Sequence, residues 1–495
     1  MTVERVPPPG AGVHGMAQAA LRKALSLYQG NPRASAWLHQ HLQRLDEPLR
    51  VAVAGGRGSG KSTLLNALVG QEVAATGDEP GTQVATWYTD GPNPRAAAYA
   101  PNRPAVELQV FPPGAGTDMV DRSAVPEDAD RVVVEWPSRS LRGLALIDTP
   151  GLDTLTAEDP AWPPLMRTVA EVDAVVYLTG RPQQGDIRLL EALHSSPMAS
   201  AAPVSTVVVL SRADELGTGG VDAMATARQI ARQQLRESAM SPLSQHIIPV
   251  AGLVAQGARI FRDADFAALA GLASVAQNEL AAMLLSADRL IAAEFAPTVS
   301  KEARTQVLDR FGLFGIRLAT TLMRRGFDTM ATLSAELVQR SGLADLRETI
   351  SQLFADRREV LKARSALLGL EALLRADPQP NAQELFLDMQ HILANAHEFR
   401  ELRLLAALRT DRSGLPADLV EEAAQLAGGH GTGPVERLGG ATTQEELLEV
   451  AGGALEQWRY HAENPLATRS AQQAAQVVVR SCEGLIIDLA PTSRH

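Results

Sequence analysis

The 495-residue chain holds one cysteine, Cys482. That excludes an intramolecular disulfide and any multi-cysteine metal site, and it suits a reducing compartment. Aromatic residues make up only 4%, and Ala and Leu supply the apolar mass instead, which favours helix. Positive charge is in deficit: 46 Lys+Arg against 57 Asp+Glu leave a net charge of −11. Neutralising phosphates takes a basic surface, so a non-specific nucleic-acid binder is excluded. No 18 apolar residues run without a charge, so no transmembrane helix is expected. The first ten residues, with three prolines in a row, lack the apolar core of a signal peptide. The expectation is a cytoplasmic protein, in contact with the inner face of the plasma membrane only peripherally.

What is present begins with one stretch. Val51-Ala52-Val53-Ala54 reads as a buried strand, and it runs into Gly55-Gly56-Arg57-Gly58-Ser59-Gly60-Lys61-Ser62-Thr63. This fits Gly-x-x-x-x-Gly-Lys-Ser/Thr, followed by the composition of a short helix. Glycines let the backbone wrap closely and aim N–H groups at phosphate oxygens, and the helix adds the positive end of its dipole. Gly58, Ser59, Gly60, Lys61, Ser62 and Thr63 are therefore expected to bind phosphates. Lys61 would reach the β- and γ-phosphates, and the Ser62 hydroxyl would ligate Mg²⁺.

From Leu49 to about Ala264, short β-branched runs alternate with helical stretches, the pattern of a mostly parallel sheet with helices on both faces. Asp148-Thr149-Pro150-Gly151 follows one such strand. Asp148 is placed to hold the Mg²⁺ shell and Gly151 to offer an N–H to the γ-phosphate. Between the two motifs lies the polar stretch 76–82, suited to a mobile switch. Thr82 is chosen there to complete the Mg²⁺ shell and orient the attacking water, with Thr76 and Thr86 as competitors.

Ser211-Arg212-Ala213-Asp214 follows the strand 205–210. It is similar to Asn/Thr-Lys-x-Asp, the guanine-reading tetrapeptide of GTPases. A carboxylate at Asp214 would accept from guanine N1–H and the 2-amino group, a donor pair that adenine lacks. The Arg212 stem would cover the base. Ala251 and Gly252, after the last strand, are candidates to offer a backbone N–H to guanine O6.

Taken in order, these motifs resemble the series of the bacterial dynamin-like GTPases. The phrases Glu47–Gly55, Arg310–Arg317 and Arg340–Leu343 look closest to the isoniazid-inducible group of mycobacterial type. The resemblance implies an α/β P-loop GTPase domain joined to an all-α neck and stalk, with GTP as substrate and Mg²⁺ as cofactor. It also implies peripheral membrane remodelling or repair, and a homodimer through the nucleotide domains or pairing with a sister dynamin-like protein. The alternative is a soluble GTP-dependent regulator that acts through a partner protein. Two departures matter. Arg57 and Gly58 stand where eukaryotic dynamins carry Gln-Ser. Arg57 would serve as an arginine finger in cis or pair with a surface carboxylate. Leu152 stands where small GTPases place their water-orienting Gln, so hydrolysis would depend on switch ordering.

The expected organisation is a flexible arm at 1–14, neck helices at 15–48 and the GTPase domain at 49–264. A neck helix at 265–300, a stalk at 301–440 and C-terminal neck helices at 441–495 follow. Residues 16–45 read as one kinked helix or two, interrupted at Asn31-Pro32. Residues 344–376 read as one rod of roughly 50 Å, at about 1.5 Å per residue. Arg357, Arg364 and Glu371 break its apolar seam. The neck stretches are expected to assemble into one bundle. For membrane contact one candidate is Arg310, Phe311, Leu313, Phe314 and Arg317, an apolar cluster between cations whose spacing is also that of tight helix packing, and another is the Ala376–Ala382 turn at the stalk end. The first lies in 301–365, where 12 Lys/Arg face 8 Asp/Glu, a balance suited to anionic headgroups.

Overall fold

The computed structural model of the chain describes residues 12–76, 84–100, 103–112, 119–151, 171–181, 185–188, 190, 205–216, 220, 222–237, 240, 243–244, 246–292, 299–409, 412–440 and 443–490. Helices α1 (Val13–Leu27) and α2 (Pro32–Asp46) precede strand β1 (Leu49–Gly55). Then come α3 (Lys61–Val69), β2 (Ala85–Asp90), β3 (Arg95–Tyr99), β4 (Val106–Leu108), β5 (Arg131–Trp136) and β6 (Leu144–Asp148). β7 (Ala174–Thr179), β8 (Thr206–Ser211), α4 (Ala223–Glu237) and β9 (His246–Val250) complete the sheet region.

The nine strands form one sheet in the order β4-β3-β5-β2-β6-β1-β7-β8-β9. From β6 to β9 all neighbours are parallel, whereas β2 runs antiparallel to β6. Side chains alternate across a strand, and β1 shows the effect. Ala52 and Ala54 enter the core cluster on one face, and Val51 and Val53 enter the cluster on the other. With β1 inside the parallel strands, between β6 and β7, its Gly-rich turn lies at their carboxyl edge, where open α/β sheets bind ligands.

The remaining described elements are helical. α5 (Gly252–Arg259), α6 (Asp263–Ser274), α7 (Gln277–Met283), α8 (Ala287–Ala292), α9 (Lys301–Arg324), α10 (Met330–Arg340) and α11 (Leu343–Ile350) come first. α12 (Arg358–Ala376), α13 (Gln383–Asn395), α14 (His397–Arg409), α15 (Ala417–Leu426), α16 (Pro434–Leu438), α17 (Gln444–Glu463) and α18 (Arg469–Leu489) follow. Helices α9 to α11, expected to open the stalk, instead bury Val307, Phe314, Leu333, Leu337, Leu343 and Leu346 in the two clusters of the sheet.

The expected neck is also distributed differently. Helices α1 and α2 pack on α12 and α13 in a cluster of their own. α17 and α18 pack with α14 and α15 in another. Asn31 decides between one N-terminal helix and two: its side chain accepts from the N–H groups of Arg33 and Ala34, capping α2 with Pro32 at its first position.

The rod expected over 344–376 is broken. Residues Ser351–Ala355 form a π-turn, and Arg357 leaves helical geometry at φ −106, ψ 13. The wider turn lets the consecutive Leu353 and Phe354 both enter the sheet core. The Arg357 guanidinium is buried and donates to the carbonyls of Ala427 and Gly428.

The candidate membrane cluster is interior, a second correction. Phe311 is fully buried: a Cβ at Gly257 would stand 2.7 Å from its ring, and one at Gly315 would stand 2.9 Å from its Cβ. Phe314 is buried too, and Leu313 packs against the same core. Arg310 pairs with Glu72 at 3.2 Å and Asp265 at 3.0 Å. Arg317 donates to the Leu284 carbonyl at 2.9 Å. The cluster is core packing with its cations spent on internal partners, so neither its rings nor its charges are offered to lipid.

Candidate functional site

The turn after β1 is shaped by a close approach. A Cβ at Gly55 would lie 2.3 Å from the Leu178 carbonyl oxygen of β7, so only glycine lets the chain leave the sheet there. Gly60 then caps α3 in the left-handed region. Lys61 folds over the loop, its ammonium donating to the carbonyls of Gly55 at 3.1 Å and Gly56 at 2.7 Å.

Ser62, one residue into α3, donates from its hydroxyl to Asp148 Oδ2 at 2.8 Å. Asp148 ends β6, pairs with Val53 of β1 and is 2% exposed. Burial pushes its carboxyl above the usual range, against the pull of the Ser62 hydroxyl and the Lys61 and Arg122 cations. Asp148 Oδ1, Ser59 Oγ and Ser211 Oγ are buried without a protein hydrogen-bond partner among the described residues. All three lie at the carboxyl edge of the strands, where such atoms point to a ligand.

A hard dication fits this donor set. Ser62 and Asp148 offer oxygen only, and the described residues hold no cluster of three or more His, Cys, Asp or Glu. Mg²⁺ at nucleotide sites is held in that sparse way, by one or two protein oxygens together with the phosphates. Gly151 comes close against the loop, since a Cβ there would be 3.0 Å from the Arg57 Cα. The two phosphate motifs therefore stand side by side.

Thr82 and Leu152 lie outside the described residues. Of the competing threonines, Thr76 is exposed, and Thr86 is buried in β2 directly opposite Asp148. Both terminal nitrogens of Arg122 donate to Thr86 Oγ1 at 3.4 Å. Arg122 is a neighbour of this site that sequence reasoning missed. It sits in the stretch 100–128, where no motif or spacing marks it.

At the end of β8, Ser211 is buried and Arg212 adopts the left-handed conformation, φ 50 and ψ 39. Asp214 follows in a 3-10 turn, half-buried, and burial raises its carboxyl above the usual range. Arg212 donates to the Gly58 carbonyl at 3.1 Å and pairs with Glu215 at 3.3 Å. The turn after β9 lies alongside, because Val250 pairs with Ser211. Here one expectation is corrected: the Ala251 N–H is not available to a base, being donated to the Ser341 carbonyl at 2.9 Å. Gly252, at the start of α5, lies close to Thr63 of α3, 3.5 Å from a Cβ to its methyl.

The sequence profile of the Dynamin family matches residues 51–213, from β1 to the base tetrapeptide. The isoniazid-induced protein IniC of Mycobacterium tuberculosis is 34% identical over 482 residues, covering 95% of this chain and 98% of that protein. The tRNA modification GTPase MnmE of Methylorubrum populi is 28% identical over 245 residues, 47% of this chain and 44% of that protein. Among solved structures, a chain of an oligomerised bacterial dynamin pair aligns over 97% of this chain and 76% of its own length, with a TM-score of 0.32 and 12% identity.

Proposed function

The chain belongs to the family of the isoniazid-induced IniC proteins and is a GTPase with a dynamin-family nucleotide domain, and on that premise we propose that it cleaves GTP to GDP and phosphate with Mg²⁺ held by Ser62 and Asp148. The observation that carries this reading is the 2.8 Å pairing of Ser62 with Asp148, whose second oxygen has no protein partner among the described residues. When bound, the dication supplies a Lewis acid that spreads the charge developing on the phosphates. The protein's own part is positional. The loop 55–60 presents N–H groups, Lys61 brings a cation to the β- and γ-phosphates, and Asp214 selects guanine. Phosphate release by the purified chain from GTP and from ATP, with magnesium and with a chelator, tests the reading. Equal cleavage of ATP, or cleavage of neither, would overturn it.

In the same reading, hydrolysis is completed when two nucleotide domains, or this chain and a sister protein, meet across their nucleotides. Light scattering in GDP with aluminium fluoride, expected to double the mass, tests this. Peripheral membrane remodelling belongs to the proposal through the family resemblance. The burial of Phe311 and Phe314 favours the second reading, a GTP-dependent regulator working through a partner protein. Sedimentation with anionic liposomes, with GTP and without, separates the two.

A further inference from the structure

The turn between α10 and α11 lies far along the chain from the nucleotide motifs, yet it touches the end of β9. The Ala251 N–H donates to the Ser341 carbonyl at 2.9 Å. One residue on, Gly342 turns with φ 81, and a Cβ there would stand 2.1 Å from the Pro249 carbonyl oxygen. No L side chain fits that approach.

The turn is itself fastened. Ser341 is fully buried, its N–H donates to the Leu337 carbonyl, and its hydroxyl donates to the Val338 carbonyl at 2.8 Å. The same hydroxyl accepts from the Leu343 N–H at 3.3 Å. Leu343 and Leu346 are fully buried in the sheet's core, which fixes α11 behind the turn.

What the turn holds is the segment 250–252. Val250 lies beside Ser211 in the sheet, so this segment neighbours the tetrapeptide that carries Asp214. Gly252 lies against Thr63 of α3. The segment is thus bounded on three sides, by β8, by α3 and by Ser341–Gly342. Because the Ala251 N–H is spent, the donor for a purine O6 becomes the Gly252 N–H, one of the first-turn groups that a helix leaves without an internal partner.

We propose that Ser341 and Gly342 are positioning residues for the guanine base, holding segment 250–252 at the separation from Asp214 that the purine spans. The proposal rests on the reading of Ser211–Asp214 as the base site. It makes the helical region a determinant of nucleotide affinity, because a shift of the α10–α11 turn moves the wall of the base site.

Titration of the full chain with mant-GDP, together with steady-state GTP hydrolysis, tests it. Gly342→Ala is expected to weaken mant-GDP about tenfold, roughly the worth of one hydrogen bond. KM should rise in step, with kcat at saturating GTP within about twofold of wild type. Ser341→Ala loosens the turn without a clash and is expected to weaken mant-GDP about threefold; it decides the matter if Gly342→Ala does not fold. Wild-type affinity in the folded variants, or a loss confined to kcat, overturns the proposal. Asp214→Asn examines the underlying reading separately, since an amide there should favour xanthosine over guanosine diphosphate. If that exchange occurs while the turn variants bind normally, the positioning role alone fails. If guanosine is still preferred, the base site itself is wrong.

Discussion

The guanidinium of Arg212 donates to the carbonyl of Gly58 at 3.1 Å, joining the base-reading turn to the phosphate loop. If the tetrapeptide reads the base as proposed, the two ends of a bound nucleotide would be held by one connected surface. Arg212 is 59% exposed, so the bond is partly screened by solvent. Arg212→Ala should weaken GDP roughly threefold to tenfold in a fluorescence titration, and Arg212→Lys should recover most of the loss. Unchanged binding in Arg212→Ala would mean that the link carries nothing.

Ser62→Ala removes the hydroxyl that donates to Asp148 Oδ2 and, in the proposed reading, one oxygen of the dication site. Magnesium-supported GTP cleavage should fall on the order of a hundredfold. The Mn²⁺ affinity of the GDP complex, read by electron paramagnetic resonance, should fall with it. Loss of cleavage with Mn²⁺ affinity intact would remove Ser62 from the metal shell.

Acid should destabilise the protein over two pH windows. His41 is buried beside Arg44, and burial first, then that cation, lowers its pKa to about 4. Between pH 6.5 and 4 the unfolded chain thus binds the proton and the folded chain does not, so stability drops as pH falls through that window. Glu401 is buried, which opposes ionisation, but His397, Arg437 and Ser481 overcome this and lower its pKa to about 2. Its contribution is complete above about pH 4.5 and is lost on the way to 2. Thermal melts at stepped pH should show both losses, and His41→Gln should reduce the first, leaving the part due to His246, whose burial lowers its pKa to about 3. A melt profile of His41→Gln identical to wild type would contradict this.

Arg364 is buried on α12, its pKa lowered by burial to about 10, and no carboxylate among the described residues faces it. Replacing such a charge by an apolar group of similar size is neutral or stabilising, by about 1–4 kcal/mol. Arg364→Met should therefore raise Tm, by about 2–4 °C in a scanning fluorimetry trace. A lower Tm would show that the guanidinium has a counter-charge after all.

Arg310 is 16% exposed and holds Glu72 and Asp265 apart. Arg310→Gln leaves the buried Asp265 without its ion pair, while Glu72 keeps Arg262 at 2.9 Å; it should cost ~3 kcal/mol, seen as a lower Tm, with no change in liposome sedimentation. Lost lipid binding at an unchanged Tm would restore this segment as a membrane contact.

How far the chain could be read from its letters follows from the range of each interaction. The phosphate loop and Asp148 were legible because strand, glycine turn and helix are consecutive, and each residue type has one chemical task. The parallel strands were legible for a similar reason: Val207, Val208 and Val209 are buried on both faces, which demands an unbroken apolar run. β2 and β3 were not, since Thr86, Thr89 and Ala96–Ala98 show neither a run nor a clean alternation. Phe311 and Arg310 give the same pattern in a core with an internal ion pair as on a lipid-facing surface. Only the partners Gly257, Glu72 and Asp265 decide between the two, and all three are distant in sequence. The Ala251–Ser341 hydrogen bond is invisible for that reason too, and so is the reach of Arg122 to Thr86. The break at 351–357 left a trace, Arg357 in an apolar seam, but its cause is a pair of carbonyls near residue 428.

The lone thiol has a practical consequence. Cys482 is fully enclosed in the C-terminal helical cluster, and burial pushes its pKa up to about 11, so it stays unreactive towards maleimides while the protein is folded. Any second cysteine introduced at a site such as Leu466, 92% exposed between α17 and α18, would be the sole anchor for a dye. The native chain is thus ready for single-molecule ruler measurements, with no background labelling to remove first.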